Sequence, residues 1–491
     1  MKPLRHLVVL VVVFATALYI GCSNTPPSGP VTGLGGVTVN KYVAIGDSYA
    51  AGYQSNALYQ SGQMYSYPTL IAQQLKAAGA NLGTFEQPFY SDPGNPDPKT
   101  GKAARYEIIS FVGPVIGPPG LTPGAPANLT LARPYDDLGV PGAVVFDFLD
   151  RTSFLAKAGP PRDNPFFLLV LRSSAFGGSI LDQARLLSPN VVTFWLGGND
   201  VLGYATSGGV SPSAPTPVAT FGFLYSQALD SLRAALPNAK IIVGSVANVD
   251  GLPFFTTIGP KVAAALGAKS AALGVPIYLR YQKHGNAGVA FDSTRLTEAN
   301  PPMILLTGSP YASLIGTASG AWYANNGYPG LPPGIDTTKP FGVHPQNPWP
   351  DALVLDVDEQ NTTLAAVNGF NNVIMTAAAA HGAYVVDFNT FWNNLRQNGL
   401  FTSGQKFTTD YISGGFFSLD GVHPSSRGYA VLANQFIKVM NEKLGMGVPY
   451  VDVTTIPGIP APISKIQDAS GIPYIPHEAF ADFQWLFGGG R

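Results

Sequence analysis

Length, composition and charge narrow the classes of protein to which this chain can belong. It has 491 residues, of which 46% are apolar and 12% charged, and this apolar share excludes a globally disordered chain. Because 28 Lys and Arg stand against 29 Asp and Glu, the net charge is -1, and we predict no nucleic-acid partner. The single cysteine excludes an intramolecular disulfide and a multi-cysteine metal site. At about 150 residues per domain, the length fits several domains or one large α/β domain with insertions.

The first residues have the pattern of an export signal. Lys2 and Arg5 precede an uncharged apolar run over residues 7–20, which is shorter than the roughly 20 residues that a membrane-spanning helix needs. We therefore predict a signal peptide over residues 1–21. The run ends at a glycine followed by Cys22, which resembles the processing site of bacterial lipoproteins and would make Cys22 a lipid-carrying N-terminus. The alternative is an ordinary signal peptide or a short anchor, with Cys22 incidental.

The segment after the predicted cleavage site has the composition of a flexible tether. Residues 22–39 are polar and rich in glycine and proline, as such linkers are. The resemblance to lipoproteins thus implies a protein exported to the bacterial cell envelope and held at a membrane by the lipid on Cys22. Which membrane, and the oligomeric state, stay open.

Beyond the tether, short buried-strand patterns alternate with helical patterns. Apolar runs predict strands over residues 41–45, 191–196, 240–246 and 384–387. Apolar spacing and stop signals predict helices over residues 67–78, 179–187, 218–236, 358–381 and 427–444. This alternation favours an α/β protein with a parallel sheet covered on both faces.

Loop-rich stretches divide this pattern. Residues 40–446 are predicted to form one domain with long insertions near 90–135 and 251–350, and residues 447–491 a C-terminal extension. The insertion at 251–350 is expected to pack over one end of the sheet.

Three polar clusters stand where a parallel sheet places its ligands, outside the carboxyl ends of the strands. Ser48 follows the first strand, Asn199 follows the strand at 191–196, and Asp420 and His423 precede the last helix. A serine hydroxyl needs a base to take its proton, and a neutral histidine can be that base. Asp420, three residues before His423, can orient the imidazole, while the Asn199 amide can stabilise an oxyanion.

These residues resemble the SGNH, or GDSL, family of hydrolases. The order Gly-Asp-Ser, then Gly-x-Asn-Asp, then Asp-x-x-His matches the family's blocks over roughly residues 40–445. The resemblance implies a three-layer α/β/α flavodoxin-like fold and an esterase or lipase that acts through an acyl-enzyme. It implies that Ser48 is the nucleophile and an oxyanion donor, Asn199 the side-chain oxyanion donor, Asp420 the orienter and His423 the base. It implies no cofactor and no metal.

One further block completes the family pattern. The family's last oxyanion donor is a glycine within Asn-x-Gly-x-x-Gly, and residues 137–142 give the nearest match, so the resemblance assigns this role to Gly142. Asp137 stands where the family has asparagine.

A second histidine competes with His423 for the role of base. His344 and His423 both lie in the tetrapeptide Gly-Val-His-Pro. The residue three positions earlier is Phe341 in one case and Asp420 in the other, and only a carboxylate can fix a tautomer and stabilise an imidazolium. We therefore predict His423 as the base.

The natural substrate stays open at this stage. The apolar segments 165–169 and 251–255 either line an acyl pocket, which favours a small-molecule or lipid ester, or belong to the core of the loops. The same catalytic set also serves carbohydrate O-deacetylation. From a different class, the chain could be a non-catalytic surface binding lipoprotein. No Gly-x-Ser-x-Gly elbow and no His-Glu-x-x-His zinc motif occurs in the sequence.

Overall fold

The computed structural model of the protein describes residues 32–110, 114–159, 162–210, 214–283, 291–459, 472–480 and 486–487. The predicted signal peptide and Cys22 lie outside this range. Within it, no helix is both long enough and apolar enough to cross a membrane.

A five-stranded parallel sheet forms the centre of the molecule. Its strands are β1 (Tyr42–Gly46), β2 (Asp137–Gly139), β3 (Val191–Trp195), β4 (Lys240–Gly244) and β5 (Tyr384–Val386). They are ordered β2-β1-β3-β4-β5, and every neighbouring pair is parallel. This is the flavodoxin-like strand order. Strands are added to one side of β1 and then, from β3 onward, to the other side, and ligands bind at the switch point between β1 and β3.

Helices cover both faces of the sheet. The α-helices of at least eight residues in the described part of the chain are α1 (Tyr67–Ala77), α2 (Ile180–Leu187), α3 (Asn199–Thr206), α4 (Val218–Ala235), α5 (Gly259–Leu273), α6 (Val357–Ala380), α7 (Phe388–Asn398) and α8 (Ser426–Leu444). Helices α1 and α8 pack together, as do α4 and α6. The fold is therefore the predicted three-layer α/β/α arrangement.

Two neighbouring residues of β3 show which helices lie on each face of the sheet. Successive side chains of a strand point to opposite faces of the sheet. Phe194 packs edge-on against Tyr225 of α4, with ring centroids 5.6 Å apart. Trp195 stacks on Phe388 of α7 at 3.9 Å and also contacts Phe436 of α8. Helix α4 thus lies on one face, and α7 and α8 lie on the other.

The predicted elements are present, with ends that differ by two residues at most. Strand β2 is an addition, because its three residues are too few to give a periodic signal. Helix α5 is another, and it lies within the insertion at 251–350. Only Gly259, Val262 and Leu266 of α5 are buried. Because so few positions face the core, the sequence of α5 does not need the wide apolar stripe by which an amphipathic helix is predicted.

Short elements fill the connections. The short helices are Gln60–Gln63, Phe154–Lys157, Phe166–Leu171, Pro253–Thr256 and Ala321–Asn325. Two-stranded pairs are formed by Glu107–Ser110 with Val115–Gly117, Leu279–Gln282 with Phe291–Thr294, Met303–Ile304 with Val354–Leu355, and Leu400–Thr402 with Gln405–Phe407.

Candidate active site

The turn after β1 presents Ser48 at the carboxyl end of the sheet. Gly46 ends the strand, and a Cβ there would lie 2.7 Å from the Ala50 Cβ and 3.0 Å from the Trp195 carbonyl oxygen, so only glycine fits. The Asp47 carboxylate accepts a hydrogen bond of 3.0 Å from the Tyr49 N–H. Asp47 therefore holds the turn, and Ser48 is left at its tip.

Ser48, His423 and Asp420 form one hydrogen-bonded chain. His423 Nε2 lies 2.9 Å from Ser48 Oγ, although 375 positions separate the two residues. His423 Nδ1 lies 3.0 Å from Asp420 Oδ2. All three side chains are buried. This is the geometry in which an imidazole can take the serine proton while a carboxylate orients the ring.

The Asp420 carboxylate is held by backbone donors as well as by the imidazole. Its Oδ1 accepts from the N–H groups of Val422 and His423 at 2.9 and 2.8 Å, and its Oδ2 accepts from the Asn56 N–H at 2.9 Å. Burial raises the pKa of Asp420, but the adjacent His423 and the hydrogen-bond donors outweigh it, and the pKa lies below its ordinary value. The carboxylate is thus ionised at neutral pH.

Aromatic rings fix the plane of the His423 imidazole. The Tyr53 ring lies 4.8 Å from it and the Tyr49 ring 5.6 Å, the latter edge-on. The Tyr49 hydroxyl also donates to the carbonyl of Val422 at 2.9 Å. The turn that carries Ser48 therefore holds the loop that carries the histidine.

Asn199 is hydrogen-bonded to the loop that carries Gly142. Asn199 is the first residue of α3, and its Nδ2 donates to the carbonyl of Ala143, the residue after Gly142, at 2.9 Å. Gly142 has φ +76°, a conformation that favours glycine. The Asp200 carboxylate accepts from the Val145 N–H at 3.0 Å, which ties the same loop to α3. The two predicted oxyanion donors therefore stand on connected segments.

Asp137 departs from the family pattern and is fully buried at the start of β2. Its Oδ1 accepts from the Gly139 N–H at 2.9 Å, while its Oδ2 has no hydrogen-bond partner in the described part of the chain. Burial, together with the nearby Asp136, raises the pKa of Asp137 well above its ordinary value. The raised pKa favours the neutral carboxyl, which has the shape of the asparagine amide of the family pattern.

The remaining candidates are His344 and the two apolar segments, and of these only His344 has no hydrogen bond or ring contact with the loop of Asp420 or with Tyr53 in the described part of the chain. His344 Nδ1 accepts from the Gln346 N–H at 3.2 Å, in a turn of the insertion. Phe254 is buried in the core, and its N–H donates to the Gly421 carbonyl at 3.0 Å, so the insertion at 251–350 contacts the loop that carries Asp420. Phe166 is also buried, with its ring 6.1 Å from that of Tyr53.

Sequence reasoning missed two residues that contact the site. The Phe487 ring stacks on the His423 imidazole at 5.8 Å, and Leu486 lies against Gly142. The only sequence signal was a short cluster of aromatic and aliphatic residues near the C-terminus. No group of three or more potential metal ligands comes together among the residues that the structure describes.

Comparison with solved structures finds several of low similarity to this chain. No family model and no curated protein matches the sequence. The solved structures that it resembles include a protein described as a GDSL-like lipase of Parabacteroides merdae (11% identity, 82% of this chain and 97% of that one, TM-score 0.32). Two further structures have comparable similarity. They are a family 3 carbohydrate esterase of Clostridium thermocellum (14% identity, 83% of this chain and 98% of that one, TM-score 0.31) and an extracellular lipase of Streptomyces rimosus (13% identity, 82% and 98%, TM-score 0.29). At these TM-scores they are likenesses, and they carry no assignment of activity to this chain.

Proposed function

We propose that the protein is a serine hydrolase of carboxylic esters, of the SGNH type. The observation that carries the proposal is the unbroken hydrogen-bonded run from Asp420 through His423 to Ser48. Burial of polar groups is costly unless they are hydrogen-bonded, and here the carboxylate, imidazole and hydroxyl bond one another in the order that proton transfer from a serine requires.

The first half of the reaction acylates the serine. Ser48 Oγ attacks the ester carbonyl carbon as its proton passes to His423 Nε2, and the carbonyl oxygen becomes an oxyanion. The Ser48 and Gly142 N–H groups and the Asn199 amide stabilise that charge. The intermediate collapses as the C–O bond to the alcohol breaks, and the imidazolium gives its proton to the departing oxygen.

The second half returns the free enzyme. Water attacks the acyl carbon on Ser48 and gives a proton to His423 Nε2. The bond to Ser48 Oγ then breaks, the serine recovers that proton, and the carboxylic acid leaves. Throughout both halves, the Asp420 carboxylate stabilises the imidazolium and holds its tautomer.

The test is hydrolysis of a panel of p-nitrophenyl esters by the full chain and by Ser48→Ala. We expect Ser48→Ala to lower kcat by about 10⁴-fold or more, because the nucleophile is lost. Ser174→Ala, at an exposed serine away from the site, is the matched control and should keep wild-type turnover. A wild type that is inert on the whole panel, or a Ser48→Ala variant that keeps its activity, would overturn the proposal.

We also propose export and lipid attachment at Cys22. The support is the position of the sole cysteine, directly after the apolar run at 7–20. In an expressing bacterium, Cys22→Ala should abolish incorporation of labelled palmitate and move the protein into the aqueous phase on Triton X-114 partition. Ser23→Ala is the control, and unchanged partition of Cys22→Ala would contradict the anchor.

A further inference from the structure

The candidate catalytic groups are almost fully buried. Ser48 and Asn199 are each 3% exposed, and His423 is 1% exposed. Cavities of about 650 and 540 Å³ open beside Tyr411 and Tyr59, but neither is lined by Ser48 or His423. Little of the surface of Ser48 and His423 is therefore open to an ester.

Two consecutive residues of the C-terminal extension form this cover. The Phe487 ring lies parallel to the His423 imidazole, with 5.8 Å between centroids and 23° between planes. The Leu486 carbonyl oxygen lies 3.0 Å, and its Cδ1 3.5 Å, from the place where a Cβ on Gly142 would be. Both side chains are buried, Leu486 to 4% and Phe487 to 1% exposure. The pair thus covers the base and one predicted oxyanion donor together.

Residues 474–477 of the extension are hydrogen-bonded to both insertions. Tyr474 pairs with the strand Val115–Gly117, its N–H donating to Pro114 at 2.8 Å and its carbonyl accepting from Ile116 at 3.0 Å. His477 Nδ1 lies 3.0 Å from the Tyr311 hydroxyl in the other insertion. Tyr474 and His477 of the extension are therefore each bonded to an insertion.

The backbone of Phe487 also packs against α3 at Gly203, where a side chain would clash with it. The Phe487 carbonyl oxygen lies 2.0 Å from the place where a Cβ on Gly203 would be. Gly203 lies in the interior of α3, where alanine is otherwise the better helix former by about 1 kcal/mol. Glycine there makes room for the C-terminal segment.

We propose that Leu486 and Phe487 occupy the substrate subsite beside Ser48 and inhibit the site from within the same chain. The inference rests on the proposed hydrolase function. Because the occupant is an aliphatic and an aromatic side chain, the subsite takes an apolar group of the ester, and the substrate must displace the segment to bind. A site that is open only part of the time shows an affinity reduced by that fraction.

The test measures the second-order rate at which a small fluorophosphonate modifies Ser48 in the full chain. Phe487→Ala removes the ring from His423, and Gly203→Ala drives the segment away through the added methyl group. We expect each to raise the rate about tenfold or more, and to lower KM for a phenylalkanoate ester with kcat nearly unchanged. The two variants disturb the segment from opposite sides, so a folding defect in one does not decide the result.

Each variant has a matched control. Phe401→Ala removes a ring that is 75% exposed, and Gly267→Ala adds a methyl group inside α5 with no atom within 4 Å. Both should react at the wild-type rate. Equal rates in all variants, with Ser48 modified in each, would overturn the inhibitory segment and leave the hydrolase proposal standing. Slower modification of Phe487→Ala would also overturn it. If Ser48 is modified in none of the proteins, the hydrolase proposal fails, and this inference fails with it.

Discussion

His344 and His423 share the tetrapeptide Gly-Val-His-Pro, but their imidazoles have different hydrogen-bond partners. His423 is buried with Nε2 2.9 Å from Ser48 Oγ and Nδ1 3.0 Å from Asp420. His344 Nδ1 instead accepts from the Gln346 backbone in a turn. The difference comes from the preceding residues, since Phe341 packs into the core while Asp420 turns back to the ring.

Replacement of the two histidines by alanine should separate their roles. His423→Ala removes the proposed base, so we expect kcat on p-nitrophenyl esters to fall by about 10⁴-fold or more. His344→Ala removes an imidazole from an identical tetrapeptide and should keep most of the turnover. A loss of activity in His344→Ala with activity kept in His423→Ala would reverse the assignment.

Asp420→Asn should affect both turnover and the pH dependence of stability. The neutral amide cannot stabilise an imidazolium, and we expect kcat to fall by about 10⁴-fold. The folded-state pKa of Asp420 is lowered, so its contribution to the free energy of unfolding is present above pH 4 and is lost as pH falls through that pKa. Urea unfolding should show a gap between wild type and Asp420→Asn at pH 7 that narrows below about pH 4. A gap independent of pH would contradict this.

Asn199→Ala should reveal whether the amide acts on the oxyanion. A donor to the oxyanion acts in the transition state, so we expect kcat to fall by about 10²–10³-fold with KM little changed. Asn361→Ala, at an exposed position on α6, is the control and should match wild type. A rise in KM with kcat unchanged would instead place Asn199 in substrate binding.

Asp137→Asn should stabilise the protein at neutral pH without loss of activity. The folded-state pKa of Asp137 is raised, so wild-type stability falls as pH rises above about 4. The asparagine variant carries no such penalty, and its advantage in free energy of unfolding should grow from pH 4 to pH 7. Chemical denaturation at several pH values measures this, and an advantage that is largest at pH 4 would contradict the raised pKa.

Elements with a distinct local sequence pattern, either a continuous apolar run or helical apolar spacing, could be predicted from sequence. The apolar runs of β1 and β3 are buried on both faces, so they stand out as continuous hydrophobic segments. Ser48, Asn199 and His423 could be found because each follows or precedes such an element. Their approach to one another follows from the parallel sheet, which places the ends of its strands at one edge.

The rest depends on contacts that leave no local trace. Strand β2 has three residues, and it is defined by its pairing with β1. Helix α5 buries little of its surface, so its amphipathic signal is weak. The placement of Phe487 on His423 is a long-range contact between residues whose own segments have no regular pattern. Such pairings follow from the completed tertiary structure.

The wide separation of Ser48 and His423 also bears on when the site can exist during synthesis. A nascent chain that has emerged only as far as α6 carries Ser48, the proposed nucleophile, but not His423, the proposed base. The contact between Ser48 and His423 spans 375 positions, and contacts of such separation carry a large loop-closure cost and slow folding. Hydrolytic competence would therefore require the chain through His423, and ester turnover after refolding would report that these two distant parts have come together.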